Sequence, residues 1–295
     1  MRRSPPPTDV PTFVDPADER AFRADGYVVV DLLGADVAAD LLATCRHHHP
    51  VAPTGARWES DFYTDDRACK VEVDEAIREA IRPPLGDLLA DHRTLMHNFV
   101  VNWPGAGGGL SLHHHSSLVD ERHFRSVVVW CALNEATEAN GTLHVVPGSH
   151  LVPRGPKGER SPEWFGPLED ALLDRHLVSV PLRPGQAILF DNALLHCSFA
   201  NVSDEPRMTA VSTVAPNAAS VRYYEWVGDG RLEYYALDPS FFFDSVAGEL
   251  EWAKPEGLPL LGTDHVDMTP PSMREVEAVI GRGPGTCRHE GRDPG

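Results

Sequence analysis

The stretch Leu110–Glu121, LSLHHHSSLVDE, concentrates nitrogen donors of the kind that hold transition metals. Side chains alternate across an extended strand, so His113 and His115 share one face and His114 takes the other. That is a two-ligand clamp. His196 lies in a second strand-like run, ILFDNALLHCSF, separated in sequence as the third ligand of a facial metal site should be. Arg207 opens the next run, RMTAVSTV. A metal with three facial protein ligands keeps three open positions, and a nearby arginine can grip a carboxylate through two parallel hydrogen bonds. A 2-oxo acid would use its keto oxygen and C1 carboxylate on the metal and its far carboxylate on Arg207, leaving one position for dioxygen.

Other histidines and carboxylates compete for the same roles. His47, His48 and His49 form a second triplet at the end of a helix, where imidazolium suits the helix dipole, and are expected at the surface. Asp120 and Glu121 read as a charged turn. His144 and His150 flank the turn VVPGSH and read as structural or pocket-lining, and Asp191 as a hydrogen-bond partner for a ligand histidine. Cys197 would face away from His196 on a strand, which argues against a nucleophile.

The elements that must position these residues follow from the pattern of the chain. With 295 residues and 42% hydrophobic content, it can bury a large core. A formal charge of −18 speaks against a phosphate-binding nucleic-acid surface. No stretch approaches the roughly 20 apolar residues needed to cross a bilayer, and the N-terminal residues lack the apolar segment of a signal or anchor. Five scattered cysteines without a CxxC pair argue against disulfides and structural zinc, so a cytoplasmic protein with reduced thiols is expected. Residues 1–16 read as a poorly ordered arm, 17–282 as one domain and 283–295 as a disordered tail. A short helix, a Gly26 turn and a strand at Tyr27–Leu32 come first, then a helix from Asp36 to about His48. A long loop is expected from Pro53 to Asp74, then a helix from Glu75 to Asp91. From Leu95 onward, short apolar runs separated by Gly, Pro and Asn describe an all-β barrel or sandwich with flanking helices. VRYYEWVGDGRLEYY reads as a hairpin and Met273–Ile280 as a short helix.

From Phe22 to Phe243 the chain resembles the phytanoyl-CoA dioxygenase family of iron(II)- and 2-oxoglutarate-dependent oxygenases. The resemblance is carried by AFRADGYVVVDLL, VNWPG, LHHHSSLVDE, GTLHVVPGSH, AILFDNALLHCSFANVS and EPRMTAV in that order. It implies a double-stranded β-helix (jelly-roll, cupin-like) core, Fe(II), 2-oxoglutarate, dioxygen and a small-molecule substrate. His113 and His196 match the two histidine ligands and Arg207 the cosubstrate arginine. Trp130 and Ser198 match positions that line the cosubstrate pocket, and Asn102 stands where many relatives carry a lysine. His115 stands where the family has aspartate. Three readings of it follow: all three histidines bind iron, His115 is displaced and water or substrate fills the position, or the chain keeps the fold as a binding module. The activity is accordingly a 2-oxoglutarate-dependent oxidation of a small molecule, a three-histidine dioxygenation without 2-oxoglutarate, or binding alone. Each imidazole must be deprotonated to coordinate, so metal binding should weaken in acid. Tyr63, Asn98, Tyr223 and Tyr224 are candidate lining residues. No motif names the substrate or an oligomeric state.

Overall fold

The computed structural model describes residues 10–281, apart from 53–57, 106–107, 153–154, 239, 245–246, 249–250, 253–256 and 268. Strands β1 (Tyr27–Asp31), β8 (Gln186–Asp191), β5 (Val127–Ala132), β10 (Arg207–Pro216), β3 (His92–Asn102) and β2 (Trp58–Ser60) form a six-stranded antiparallel sheet in that order. Strands β4 (Leu110–His113), β9 (His196–Ser198), β6 (Leu143–Val145) and β7 (Val178–Val180) form a four-stranded antiparallel sheet. The two sheets make the expected jelly roll. Helices α1 (Pro16–Asp25), α2 (Ala35–His48) and α3 (Arg67–Leu88) cover the outer face of the larger sheet.

This layering explains the unbroken apolar run SVVVWCAL. Val127, Val129 and Cys131 of β5 pack among Ile77, Ile81 and Leu85 of α3 and other residues of the outer core. The alternate residues Val128, Trp130 and Ala132 pack inward with Leu143 and Val145 of the small sheet. A strand covered on both faces needs no polar alternation. β8 follows the same rule, with Ala187 and Leu189 outward and Ile188 and Phe190 inward. The expected hairpin is β11 (Arg222–Gly228) with β12 (Arg231–Ala236), extended by a third strand at Leu260–His265. The helix at Met273–Ile280 is also present.

Three expectations need correction. The arm expected through residue 16 is docked from residue 12 onward: Phe13 is buried at 2% exposure and bridges to Leu89. Residues 1–9 and the tail lie outside the described residues. The loop expected between Pro53 and Asp74 contains β2 and the first turns of α3. Asp66 caps that helix, its Oδ1 accepting from the amides of Ala68 and Cys69 at 2.9 and 3.1 Å. Lys70 and Asp74 are buried on its inward face, where polar side chains interrupt the apolar stripe that periodicity detects.

The third correction concerns His49, which is buried at 4% exposure rather than at the surface. Its Nε2 lies 2.8 Å from Asp61 Oδ1 and its Nδ1 3.1 Å from Glu59 Oε2. Asp61 also accepts the amide of Phe99 at 2.9 Å, and Glu59 the indole N–H of Trp103 at 3.1 Å. One imidazolium therefore ties the end of α2 to the segment carrying β2. Burial alone would lower the His49 pKa, but the hydrogen bond and charge of Asp61, aided by Glu59, outweigh it and raise the pKa above 6.5. A raised pKa adds stability that is complete below the unfolded value and is lost as pH rises through the folded one. Urea titrations across neutral to alkaline pH should show the wild type losing an increment of stability that His49→Gln lacks at every pH, the variant being less stable near pH 6 by ~2 kcal/mol.

Candidate metal centre

Strand pairing places the first two ligands. His113 on β4 lies directly across from His196 on β9, and their ring centroids are 4.2 Å apart. His115 lies two residues beyond the end of β4, with its ring centroid 4.8 Å from that of His196 and 5.5 Å from that of His113. Among the described residues, these three form the group of His, Cys, Asp and Glu side chains able to share a metal, with one ligand atom from each within 4.8 Å of the others. His114 points away, its Nε2 3.5 Å from Glu163.

Each Nδ1 already has a partner, which fixes the ring and leaves Nε2 for a metal. His113 and His196 use the carbonyl two residues back, Ser111 O at 2.7 Å and Leu194 O at 2.8 Å. His115 instead meets Asn192 Oδ1 at 3.2 Å. The Asn192 amide nitrogen donates to Ser116 O at 2.7 Å, and the His115 backbone N–H donates to Asn192 O at 3.0 Å. Asn192 is thus the orienting partner that the sequence suggested in Asp191. Asp191 accepts the Ala193 amide at 2.8 Å and lies 3.5 Å from Arg125, bracing the turn before His196. Burial holds the three imidazoles neutral, lowering His113 to about 4 and His115 to about 3, with His196 well below 6.5.

The three histidines line a cavity of about 570 Å³ between the sheets. Arg207 enters it from the first position of β10, buried at 2% exposure, with its guanidinium carbon 4.9 Å from the centre of the Trp130 ring. No carboxylate pairs with it among the described residues, and its Nε has no partner. Burial lowers its pKa to about 9, which still leaves it cationic at neutral pH. A buried cation without a counter-ion, facing a cavity that also holds three unprotonated imidazoles, is chemically incomplete without a metal and an anion. The residues present fit both.

Of the remaining candidates, Trp130 and Ser198 line the cavity. Asn102 does not: its side-chain amide is directed to Asn140 O and Phe199 O at 3.3 and 3.2 Å, where it ties loops together. Tyr63 and Asn98 line the cavity, whereas Tyr223 and Tyr224 lie outside it, Tyr223 in an apolar cluster with Tyr235 and Phe241 and Tyr224 donating to Val119 O at 3.3 Å. His144 packs edge-on against Phe199, and His150 lines a separate cavity of about 100 Å³. Asp120 forms the expected charged turn with Arg122 and Arg222 at 2.7 and 3.1 Å. Burial pushes the Cys197 thiol up to about 12, which removes it as a nucleophile.

A family model described as phytanoyl-CoA dioxygenase (PhyH) matches residues 22–209. The chain belongs to the phytanoyl-CoA dioxygenase family. It is similar to a phytanoyl-CoA dioxygenase domain-containing protein 1 of Danio rerio, 31% identical over 120 residues, covering 38% of this chain and 41% of that protein. An ectoine dioxygenase of Sphingopyxis alaskensis is 27% identical over 223 residues, covering 64% of this chain and 72% of the relative. The chain spans about two fifths of the length of the Danio rerio and Arabidopsis thaliana relatives it matches. Among solved structures, the fold is similar to that of SnoK, a non-heme alpha ketoglutarate dependent carbocyclase from nogalamycin biosynthesis. The TM-score is 0.52 at 18% identity, over 75% of this chain and 92% of that one. AviO1 from Streptomyces viridochromogenes gives a TM-score of 0.50 at 22% identity, over 69% and 95%. Both are likenesses of fold.

The pH dependence of metal binding follows from the burial of the ligands. An exposed imidazole begins to lose metal to protons near 6.5, whereas here competition should begin only as pH falls toward about 4. Co(II) titrations should therefore give a nearly flat affinity between about pH 6 and 8, and Asn192→Ala should weaken binding by roughly 10- to 100-fold. An affinity that falls steeply below pH 7 would contradict the assignment of these three rings.

Proposed function

We propose that this family member is a non-haem iron oxygenase that uses 2-oxoglutarate and dioxygen to oxidise a small molecule, with His113, His115 and His196 holding Fe(II) and Arg207 holding the distal carboxylate of the cosubstrate. When bound, iron supplies the redox chemistry by which dioxygen and 2-oxoglutarate yield an oxidised substrate, succinate and carbon dioxide. The observation that carries the reading is the unpaired, buried Arg207 in the same cavity as three convergent, neutral imidazoles. A three-histidine dioxygenase with no cosubstrate would have no use for that cation, and a binding module no use for three imidazoles with free Nε2 atoms.

The chain's own residues then have definite roles. Trp130 stacks against the guanidinium and shields it from water. Ser198, whose Oγ accepts the Leu110 amide at 3.3 Å, holds β4 against β9 beside the ligands. Trp58, Phe62, Tyr63, Met96 and Phe242 form a largely aromatic wall for the substrate, with Asn98 and Ser60 as a polar pair joined at 2.7 Å. An anionic substrate is disfavoured because the other cations at the cavity are paired, Lys157 with Glu163 and Arg160 with Glu225. A coenzyme A nucleotide would find no cluster of cations for its phosphates. The free thiols of Cys45, Cys69, Cys131 and Cys197 support action in the cytoplasm.

Arg207 gives the test. Anaerobic addition of Fe(II) and 2-oxoglutarate to the wild type should produce a weak visible charge-transfer band. Arg207→Ala should lower 2-oxoglutarate affinity by about 30-fold or more, ~2 kcal/mol, without lowering apoprotein stability, since an uncompensated buried charge has been removed. Wild-type protein that shows no band and no cosubstrate binding by calorimetry would refute the proposal. His115→Asp separates the metal-ligand roles: raised 2-oxoglutarate turnover marks His115 as a weaker substitute for a carboxylate, and lost turnover marks the three-histidine set as the native centre.

A further inference from the structure

The segment that carries His115 has no strand neighbour to hold it. β4 ends at His113, and residues 114–118 run on without regular structure. A ligand on irregular backbone holds its position only if its neighbours replace the missing ladder bonds. On one side Asn192 does so, through its carbonyl to the His115 amide and its side chain to His115 Nδ1 and Ser116 O.

On the opposite side the Arg222 N–H donates to Leu118 O at 2.8 Å at the far end of the stretch, and Lys157 holds the part nearer His115. The Lys157 backbone N–H donates to Ser117 Oγ at 2.9 Å, and the Ser117 N–H donates to Lys157 O at 2.8 Å. The Lys157 ammonium then reaches back to donate to His114 O at 2.7 Å, the carbonyl lying between the two ligands of the clamp. Glu163 is bonded to the same ammonium and lies 3.5 Å from His114 Nε2, so it orders both the lysine and the outward-facing ring. The loop bearing Lys157 is itself fixed to the β11–β12 hairpin. The Glu159 amide donates to Tyr224 O at 2.9 Å, and the Trp226 amide donates to Glu159 O at 3.1 Å. A Cβ at Gly158 would come within 2.7 Å of Leu232 and 2.9 Å of Tyr224 O, which shows how closely the loop is seated.

We infer that Lys157 is a positioning residue for the metal centre: by binding the His114 carbonyl and bracketing Ser117, it turns His115 toward His113 and His196 and so completes a three-histidine ligand set. This rests on the metal-centre assignment proposed above.

Lys157→Met keeps the aliphatic stem and removes the ammonium, and Lys157→Arg restores a cationic donor. In the full chain, titration with Co(II) should show a tenfold or greater loss of affinity for Lys157→Met, a change in the visible ligand-field bands as His115 leaves the metal, and recovery of most of both in Lys157→Arg. In the metal-free proteins, hydrogen exchange at the His115 and Ser117 amides should quicken about tenfold in Lys157→Met, while exchange at Val129 and Leu189 in the central strands stays unchanged. Wild-type affinity and spectrum in Lys157→Met would overturn the inference, as would unchanged exchange at His115 and Ser117. Wild-type protein that fails to bind Co(II) would overturn the metal-centre reading, while the exchange measurement would still decide whether Lys157 holds the segment.

Discussion

The molecule depends on holding three uncharged imidazoles close together inside a protein. Each needs a hydrogen-bond acceptor at Nδ1, because a ring without one can rotate or change tautomer and a metal site then loses its donor. The strands supply this locally for two of them, through the carbonyls of Ser111 and Leu194, each two residues before its histidine. His144, also on a strand and outside the cavity, makes the same bond to Thr142 O at 3.1 Å, so the arrangement follows from strand geometry and is not peculiar to ligands. His115 has left the strand and needs a partner from elsewhere. The jelly roll brings Asn192 there by closing β8 and β9 around the turn that Asp191 caps.

A different constraint governs Arg207 in the same cavity. Arg207 and Trp130 lie on adjacent strands of the six-stranded sheet, and the apolar layers on both faces of that sheet fix them rigidly. A guanidinium held this way cannot swing to solvent to regain hydration. Its charge is therefore kept within the cavity. The smaller sheet presents His113 and His196 to that cavity and the larger sheet presents Arg207.

The sequence disclosed the parts whose meaning is local. His113, His115, His196 and Arg207 stand on short runs whose order can be read along the chain, and His113 and His115 do share a side as expected, although β4 ends at His113 and His115 is held there by Asn192 and not by strand alternation. The helices and the apolar strands of the jelly roll were legible for the same reason. Asn192, Lys157 and His49 were not, because each acts through partners distant in sequence or through irregular backbone. Lys157 meets His114 across 43 residues and Asn192 meets His115 across 77. His49 belongs to a polar triplet that reads as surface until Glu59 and Asp61 fold against it. Tyr223 and Tyr224 were misplaced for a related reason, since aromatic residues suit a pocket wall and an apolar core equally well.

In the proposed centre, a histidine at position 115 in place of the carboxylate that the family resemblance implies would also alter the electrostatics of cosubstrate binding. Three neutral imidazoles leave the full charge of a divalent cation in a cavity of low polarity, where an uncompensated charge is unfavourable. An aspartate would offset one unit of that charge in the absence of any cosubstrate. In the proposed centre the compensation would come from the dianionic 2-oxo acid, whose charge would bring the metal and its ligands to neutrality, with Arg207 as a further attraction. Metal held by these histidines alone would therefore bind less tightly than in an aspartate-containing site, and the additional stabilisation gained from the cosubstrate would be larger. By linkage the two ligands then reinforce each other's binding more strongly than they would around a carboxylate. On the proposed reading the buried cation and the three-histidine set form one electrostatic arrangement, in which the cosubstrate would help to complete the metal centre.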